Sequence, residues 1–173
     1  PDAVVAHMEP YRIPYMAVDN SPELIENDCI KECLLRLQRL RRPTATYPFL
    51  MRLLYEFRNG TIEEAPCVAV LEGVESFLVR RAIVGYEPTG LHALFKSLWD
   101  EIGELSAAGL ATVVATKPTI QWPGDEAVRS AVLTRALAKS KICGYLLVEY
   151  DRSLPGDHPP VEPSIEHILP QSF

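Results

Sequence analysis

Apolar residues recur every three or four positions along most of this 173-residue chain, and glycine and proline residues separate the segments that show this spacing. The period places apolar side chains on one face of an α-helix. Because a chain of this length can enclose a core, we expect these faces to pack against one another. The predicted fold class is mainly α, a bundle of five or six helices in a helical domain of residues 21–153.

Capping residues and helix breakers predict the helix boundaries. Ser21-Pro22-Glu23 has the order of a helix start, and Arg41-Arg42-Pro43 stops the helix that follows it. Asn59-Gly60 and Gly85 are typical of helix ends. Together the signals predict helices over about 22–40 and 47–58, a third that follows a capping-box pattern at 61–64 and ends near Gly85, and others over about 91–102, 125–137 and 139–151.

Three other stretches lack a clear helical period. Residues 1–20 contain three prolines and are interpreted as an extended lead-in. Residues 106–122 resemble a loop, with a short extended piece at 111–115. Residues 154–163 hold four prolines and one glycine, which is typical of a linker.

The last ten residues, 164–173, differ in character from the linker before them. Their side chains alternate between two faces around Glu166 and His167, which predicts a short strand that ends at Pro170. A carboxylate can hold a divalent ion such as Mg²⁺, and a neutral imidazole can take a proton from an attacking water. The pair could therefore serve a metal-dependent nuclease, whereas residue types alone favour an ordinary surface pair.

The charge distribution is uneven along the chain. The net charge is −6, which excludes a uniformly basic nucleic-acid binder, but residues 31–58 carry seven bases and two acids, a net charge of +5. Two interpretations of the basic side chains stay open, a DNA phosphate-contacting surface and a solvated or ion-paired helix face. The candidates for DNA contact are Arg36, Arg39, Arg41, Arg42, Arg80 and Arg81.

The C-terminal stretch Ile165-Glu166-His167-Ile168-Leu169-Pro170-Gln171-Ser172-Phe173 resembles the first strand of an HNH, or ββα-metal, nuclease motif. More specifically, residues 25–173 resemble the C-terminal part of GmrSD-type modification-dependent restriction enzymes and of SspE-like phage-defence nucleases. In that family a helical segment precedes an Ile-Glu-His-Ile-Leu-Pro-Gln signature. Three further stretches resemble its paired-arginine helix end, a helix start and its last helix, namely residues 77–85, 122–125 and 145–150.

The resemblance implies a metal-dependent endonuclease that cleaves or nicks foreign DNA. His167 would be the general base, and Glu166 would be a ligand of a divalent metal, Mg²⁺ by preference. The family pattern continues with an Asn-containing loop and a helix that bear further ligands, and these residues are absent from this sequence. We therefore expect the isolated chain to be inactive and residues 164–173 to be the start of an HNH motif.

The resemblance also implies partners in a longer protein. An N-terminal sensor domain is expected there, and DNA is the expected substrate. That domain's Asp-Gly-Gln-Gln-Arg signature does not occur here, so we assign no nucleotide hydrolysis to this chain. The alternative to a nuclease is a non-catalytic helical module that links a sensor to an effector or binds DNA.

The four cysteines and the hydropathy bear on the compartment. The cysteines form no CxxC pair, and we interpret them as small apolar residues in a reducing cytoplasm. No apolar run approaches the roughly 18–20 residues that a membrane span needs. The expected location is cytoplasmic.

Overall fold

Most of the described residues lie in α-helices. The computed structural model describes residues 2–156, with side chains from residue 4 onward. The helices are α1 (Asp2–Met8), α2 (Arg12–Asp19), α3 (Asp28–Arg39), α4 (Tyr47–Arg58), α5 (Glu64–Val84), α6 (Leu91–Glu101), α7 (Ala107–Ala115), α8 (Asp125–Thr134) and α9 (Ile142–Ser153). Short 3₁₀ turns connect several of them, and the described part of the chain contains no strand. The mainly α prediction is confirmed, with more helices than the five or six expected.

The middle of the chain follows its start and stop signals closely. The helix predicted over 47–58 is α4, and α5 ends where predicted, because Gly85 takes the left-handed conformation at its C-terminus. The first predicted helix begins later than expected. Pro22–Leu24 forms a single 3₁₀ turn, and the Asn27 side chain then caps α3 by accepting a hydrogen bond from the Ile30 amide at 2.9 Å.

The extended lead-in predicted for residues 1–20 is wrong, because α1 and α2 occupy most of residues 2–19. Pro14 lies in the first turn of α2, where the missing N–H has no intrahelical acceptor to lose. Ala17 and Val18 of α2 are fully buried in the core. Their burial gives the segment the tertiary contacts that a short helix needs.

The loop predicted for residues 106–122 is also wrong over its first half, where α7 lies. Ser106 caps α7 by accepting a hydrogen bond from the Gly109 amide at 3.0 Å. Leu110, Val113 and Val114 are buried. Packing on the core therefore outweighs the weak helix propensity of this glycine- and valine-containing stretch.

The centre of the fold is α5, which contacts α3, α4, α7, α8 and α9. Its buried residues lie on several sides, so it has no single apolar stripe. Gly73 allows α7 to approach closely, because a Cβ at this position would lie 3.0 Å from the Ala107 Cα. A large hydrophobic cluster surrounds most of α5 and includes residues of α2, α3, α4, α6 and α7.

A second, smaller cluster lies under α8 and α9. It consists of Ile83, Ala131, Ile142 and Tyr145. It therefore joins the C-terminal end of α5 to the last two helices. Residues 157–173, which include most of the predicted linker and all of the predicted strand, lie outside the described residues.

Cys33 and Cys67 are buried, which agrees with the interpretation of the cysteines as small apolar residues, whereas Cys143 is half-buried and Cys29 is exposed. Burial raises the pKa of the Cys67 thiol to about 12, so this thiol stays protonated near neutral pH. None of the helices within residues 2–156 is long and apolar enough to cross a membrane.

Replacing Gly85 with alanine should destabilise the protein by about 1–2 kcal/mol, because its φ is 86° and an alanine is strained in that conformation. A Cβ at this position would also lie 2.5 Å from Arg135 Cζ and displace that guanidinium. Urea unfolding monitored by circular dichroism measures the effect. Gly103→Ala is the matched control, because Gly103 lies outside the left-handed region and nothing is within 4 Å of its Cβ position. Equal losses in the two variants would contradict the explanation.

Candidate functional site

The predicted nuclease pair, Glu166 and His167, lies outside the residues that the structure describes. Among residues 2–156, no group of three or more His, Cys, Asp or Glu side chains could hold a metal ion. The roles of Glu166 as a metal ligand and of His167 as a general base therefore stay predictions. The structure does describe the six candidate DNA-binding arginines and α9, the helix that precedes the pair in the chain.

Arg36 and Arg39 lie on α3 and form ion pairs with other helices. Arg36 Nε donates to both carboxylate oxygens of Glu75, at 3.0 and 2.9 Å. Arg39 Nη2 lies 2.7 Å from Glu149 Oε1 on α9 and 3.3 Å from Glu32 Oε1. These guanidinium groups therefore connect α3 to α5 and α9.

Arg80 and Arg81 fasten the segment that precedes α8 to the end of α5. Arg80 pairs with Asp125 at 2.7 Å and donates to the Pro123 carbonyl at 3.1 Å. Arg81 is 5% exposed and donates to the carbonyls of Gln121 and Glu87, at 3.0 and 2.5 Å. Burial lowers the pKa of Arg81 below its usual value.

Arg41 and Arg42 differ from each other although they are adjacent. Arg42 is 9% exposed, and its guanidinium lies 5.3 Å from the centre of the Tyr47 ring. Arg41 is exposed and has a φ of 53°, a left-handed conformation that is unusual for a residue other than glycine. Of the six candidates, Arg36, Arg39 and Arg80 have acidic partners, so the ion-paired interpretation describes their contacts, and DNA binding stays a prediction for all six.

Glu75 is the centre of a buried polar cluster that sequence reasoning missed. It lies in the middle of α5, 8% exposed, and accepts hydrogen bonds from Arg36 and from the hydroxyl of Tyr145 on α9. Burial and this hydrogen bond raise the pKa of Tyr145 above its usual range. Burial alone would lower the pKa of Arg36, but the hydrogen bond and charge of Glu75 outweigh it and raise the pKa.

The cluster and its neighbours hold α9 in place. Besides Tyr145, α9 contributes Glu149, which pairs with Arg39, and Arg152, which pairs with Glu32 at 2.7 Å. These contacts lie along one side of α9, which ends at Ser153. The helix that directly precedes the proline-rich segment is therefore fixed to α3 and α5 by polar contacts as well as by the smaller hydrophobic cluster.

An open cavity of about 390 Å³ lies where the C-terminal ends of α3 and α5 meet the start of α9. Its charged lining residues are Arg41, Arg135, Lys141 and Glu87. Ser140 and Tyr86 also line it. We call this cavity the basic groove.

Comparison with known proteins does not extend the sequence resemblance. No protein-family model, no curated protein and no solved structure matches this chain.

Proposed function

We propose that this chain is part of an HNH-type endonuclease that cleaves or nicks foreign DNA, such as phage DNA, in the cytoplasm. The observation that carries the proposal is the sequence of residues 165–171, Ile-Glu-His-Ile-Leu-Pro-Gln, which resembles the first strand of the HNH motif. In a longer protein, an N-terminal sensor domain would control the nuclease. The helices of this chain would support it.

The chemistry assigned to the pair is hydrolysis of a phosphodiester. His167 accepts a proton from water, the water oxygen forms a bond to phosphorus, and the bond from phosphorus to the leaving oxygen breaks. The leaving oxygen takes up a proton as it departs. A divalent metal such as Mg²⁺, held partly by Glu166, would stabilise the negative charge on the phosphate oxygens.

The position of α9 supports this assignment. A nuclease motif needs a rigid element to hold its reacting groups in position. Tyr145 and Glu149 of α9 bind buried or half-buried partners on α5 and α3. The last described helix before the predicted linker and HNH strand is thereby fixed to α5 and α3.

A nicking assay on supercoiled plasmid tests the proposal. The longer protein that contains this chain should convert supercoiled plasmid to the open circle when Mg²⁺ is present and should stop when EDTA is added. The 173-residue chain should leave the plasmid supercoiled, because Glu166 and His167 alone cannot hold a metal ion in position. Nicking by the isolated chain, or nicking that persists in EDTA, would contradict the assignment.

The second candidate function is a non-catalytic helical module that binds DNA and links a sensor to an effector. The basic groove favours it, because cations that lack an acidic partner among the described residues attract phosphates whether or not cleavage follows. The plasmid assay separates the two functions. A longer protein that retains plasmid on a gel but never nicks it in Mg²⁺ is the result expected of the binding module.

A further inference from the structure

We propose that the basic groove binds the phosphate backbone of duplex DNA through Arg41, Arg135 and Lys141. This inference rests on the proposed function, which makes DNA the partner, and it adds the surface that contacts the DNA. Arg41 lies in the basic stretch of residues 31–58, whereas Arg135 and Lys141 lie about 80–100 residues further along the chain. The surface therefore forms only in the folded protein.

The cations of the basic groove are not neutralised by acids among the described residues. In the part of the chain that the structure describes, neither Arg41 nor Lys141 forms an ion pair with an acid. Arg135 Nη1 donates to the carbonyls of Ala82 and Ile83, which leaves the other guanidinium nitrogens available to a ligand. Arg36, Arg39 and Arg80, by contrast, are bound to acids.

The local charge of the basic groove is opposite in sign to the net charge of the chain. Three cations and one acid line the groove, a net formal charge of +2, whereas the whole chain has a net charge of −6. A polyanion is repelled by most of such a molecule and attracted by this part of it. The binding of DNA is therefore directed to one face.

The fold holds the Arg135 guanidinium in position and fixes the backbone of Arg41. The Arg135 guanidinium covers Gly85, since a Cβ there would lie 2.5 Å from Arg135 Cζ, and two carbonyls at the end of α5 fix it. Arg41 follows α3 in the left-handed conformation, with a φ of 53°. A planar guanidinium can bind two phosphate oxygens at once, which suits Arg41 and Arg135 to a DNA backbone.

Fluorescence anisotropy with a short labelled DNA duplex tests the proposal on the 173-residue chain, in EDTA so that no cleavage interferes. The variant Arg41→Gln/Lys141→Gln should bind roughly tenfold more weakly than the unmodified chain. The slope of log K against log salt concentration should become shallower by about two, because two phosphate contacts are lost. Arg135 is left unchanged because it also caps α5.

The control variant is Arg58→Gln/Lys96→Gln, which removes the same two residue types from exposed positions on α4 and α6, outside the groove. It should bind DNA within about twofold of the unmodified chain. Glu87→Gln provides a test of opposite sign, because removing the one acid of the groove should tighten binding by roughly twofold to threefold. Circular dichroism of each variant checks that the helices are retained.

Several outcomes would overturn the proposal. One is equal weakening by the groove variant and by the control variant, which would mean that only total charge matters. Another is tighter binding of an RNA duplex than of the DNA duplex. The nicking assay tests the nuclease separately, because a protein that nicks DNA while its groove variant binds normally retains the proposed function and loses only this surface.

Discussion

Replacing His167 with alanine is expected to abolish plasmid nicking by the longer protein that contains this chain. The imidazole is the proposed general base, and loss of such a group typically slows a reaction by about 10²–10⁴-fold. The fold should be unaffected, because no described helix contains this residue. The measurement is the rate at which supercoiled plasmid is lost in Mg²⁺, with circular dichroism as the check on folding.

The sequence offers a matched control for this substitution. Asp157-His158 repeats the order of acid and histidine in the proline-rich segment, and we assign it no catalytic role. The variant His158→Ala should therefore nick plasmid at the same rate as the unmodified protein. If His167→Ala nicks as fast as His158→Ala does, the HNH assignment fails.

Replacing Glu75 with alanine is expected to destabilise the protein by about 3–5 kcal/mol, a large share of the ~5–15 kcal/mol that stabilises a typical domain. The carboxylate is 8% exposed and accepts hydrogen bonds from Arg36 and Tyr145. Without it, Arg36 loses its close acidic partner, and a buried hydroxyl loses its acceptor. Removing one member of a buried ion pair costs more than the pair itself contributes.

Two further variants separate this cause from a general effect of losing an acid. Glu72→Ala removes an acid of α5 that is also a partner of Arg36, at 3.5 Å, but its side chain is 58% exposed, so the loss should be below about 1 kcal/mol. Tyr145→Phe removes one hydroxyl and should cost about 1–2 kcal/mol. Urea unfolding of all three variants provides the comparison. Similar losses for Glu72→Ala and Glu75→Ala would contradict the buried-cluster explanation.

The sequence predicted best those helices whose period and punctuation agree. In α4 and α6 the apolar spacing is regular, and the asparagine after α4 and the glycine after α5 mark where those two helices end. Three helices were missed, α1, α2 and α7. Prolines hid α2, although Pro14 lies where a helix tolerates it, and α7 is apolar on nearly every side, so it shows no period.

The contacts of the candidate site were less predictable than the helices. The partners of the arginines are distant in sequence, since Arg36 and Glu75 are 39 residues apart and Arg39 and Glu149 are 110 apart. No local pattern specifies such pairs. The one signal for Glu75 was an acid within the apolar run of α5, and a buried acid requires a partner. The basic groove likewise combines segments that only the fold brings together.

The division of the interior into a large and a small cluster has a consequence for motion. Four residues form the buried part of the smaller cluster, so α8 and α9 depend on far less apolar contact than the helices around α5 do. In native-state hydrogen exchange, we expect their amides to exchange through a sub-global opening that leaves the rest of the molecule folded. The free energy needed to detach α9 from α3 and α5 would then depend mainly on the hydrogen bond from Tyr145 to Glu75 and on the ion pairs of α9. Weakening these few contacts would therefore detach α9 while the helices of the large cluster stay folded.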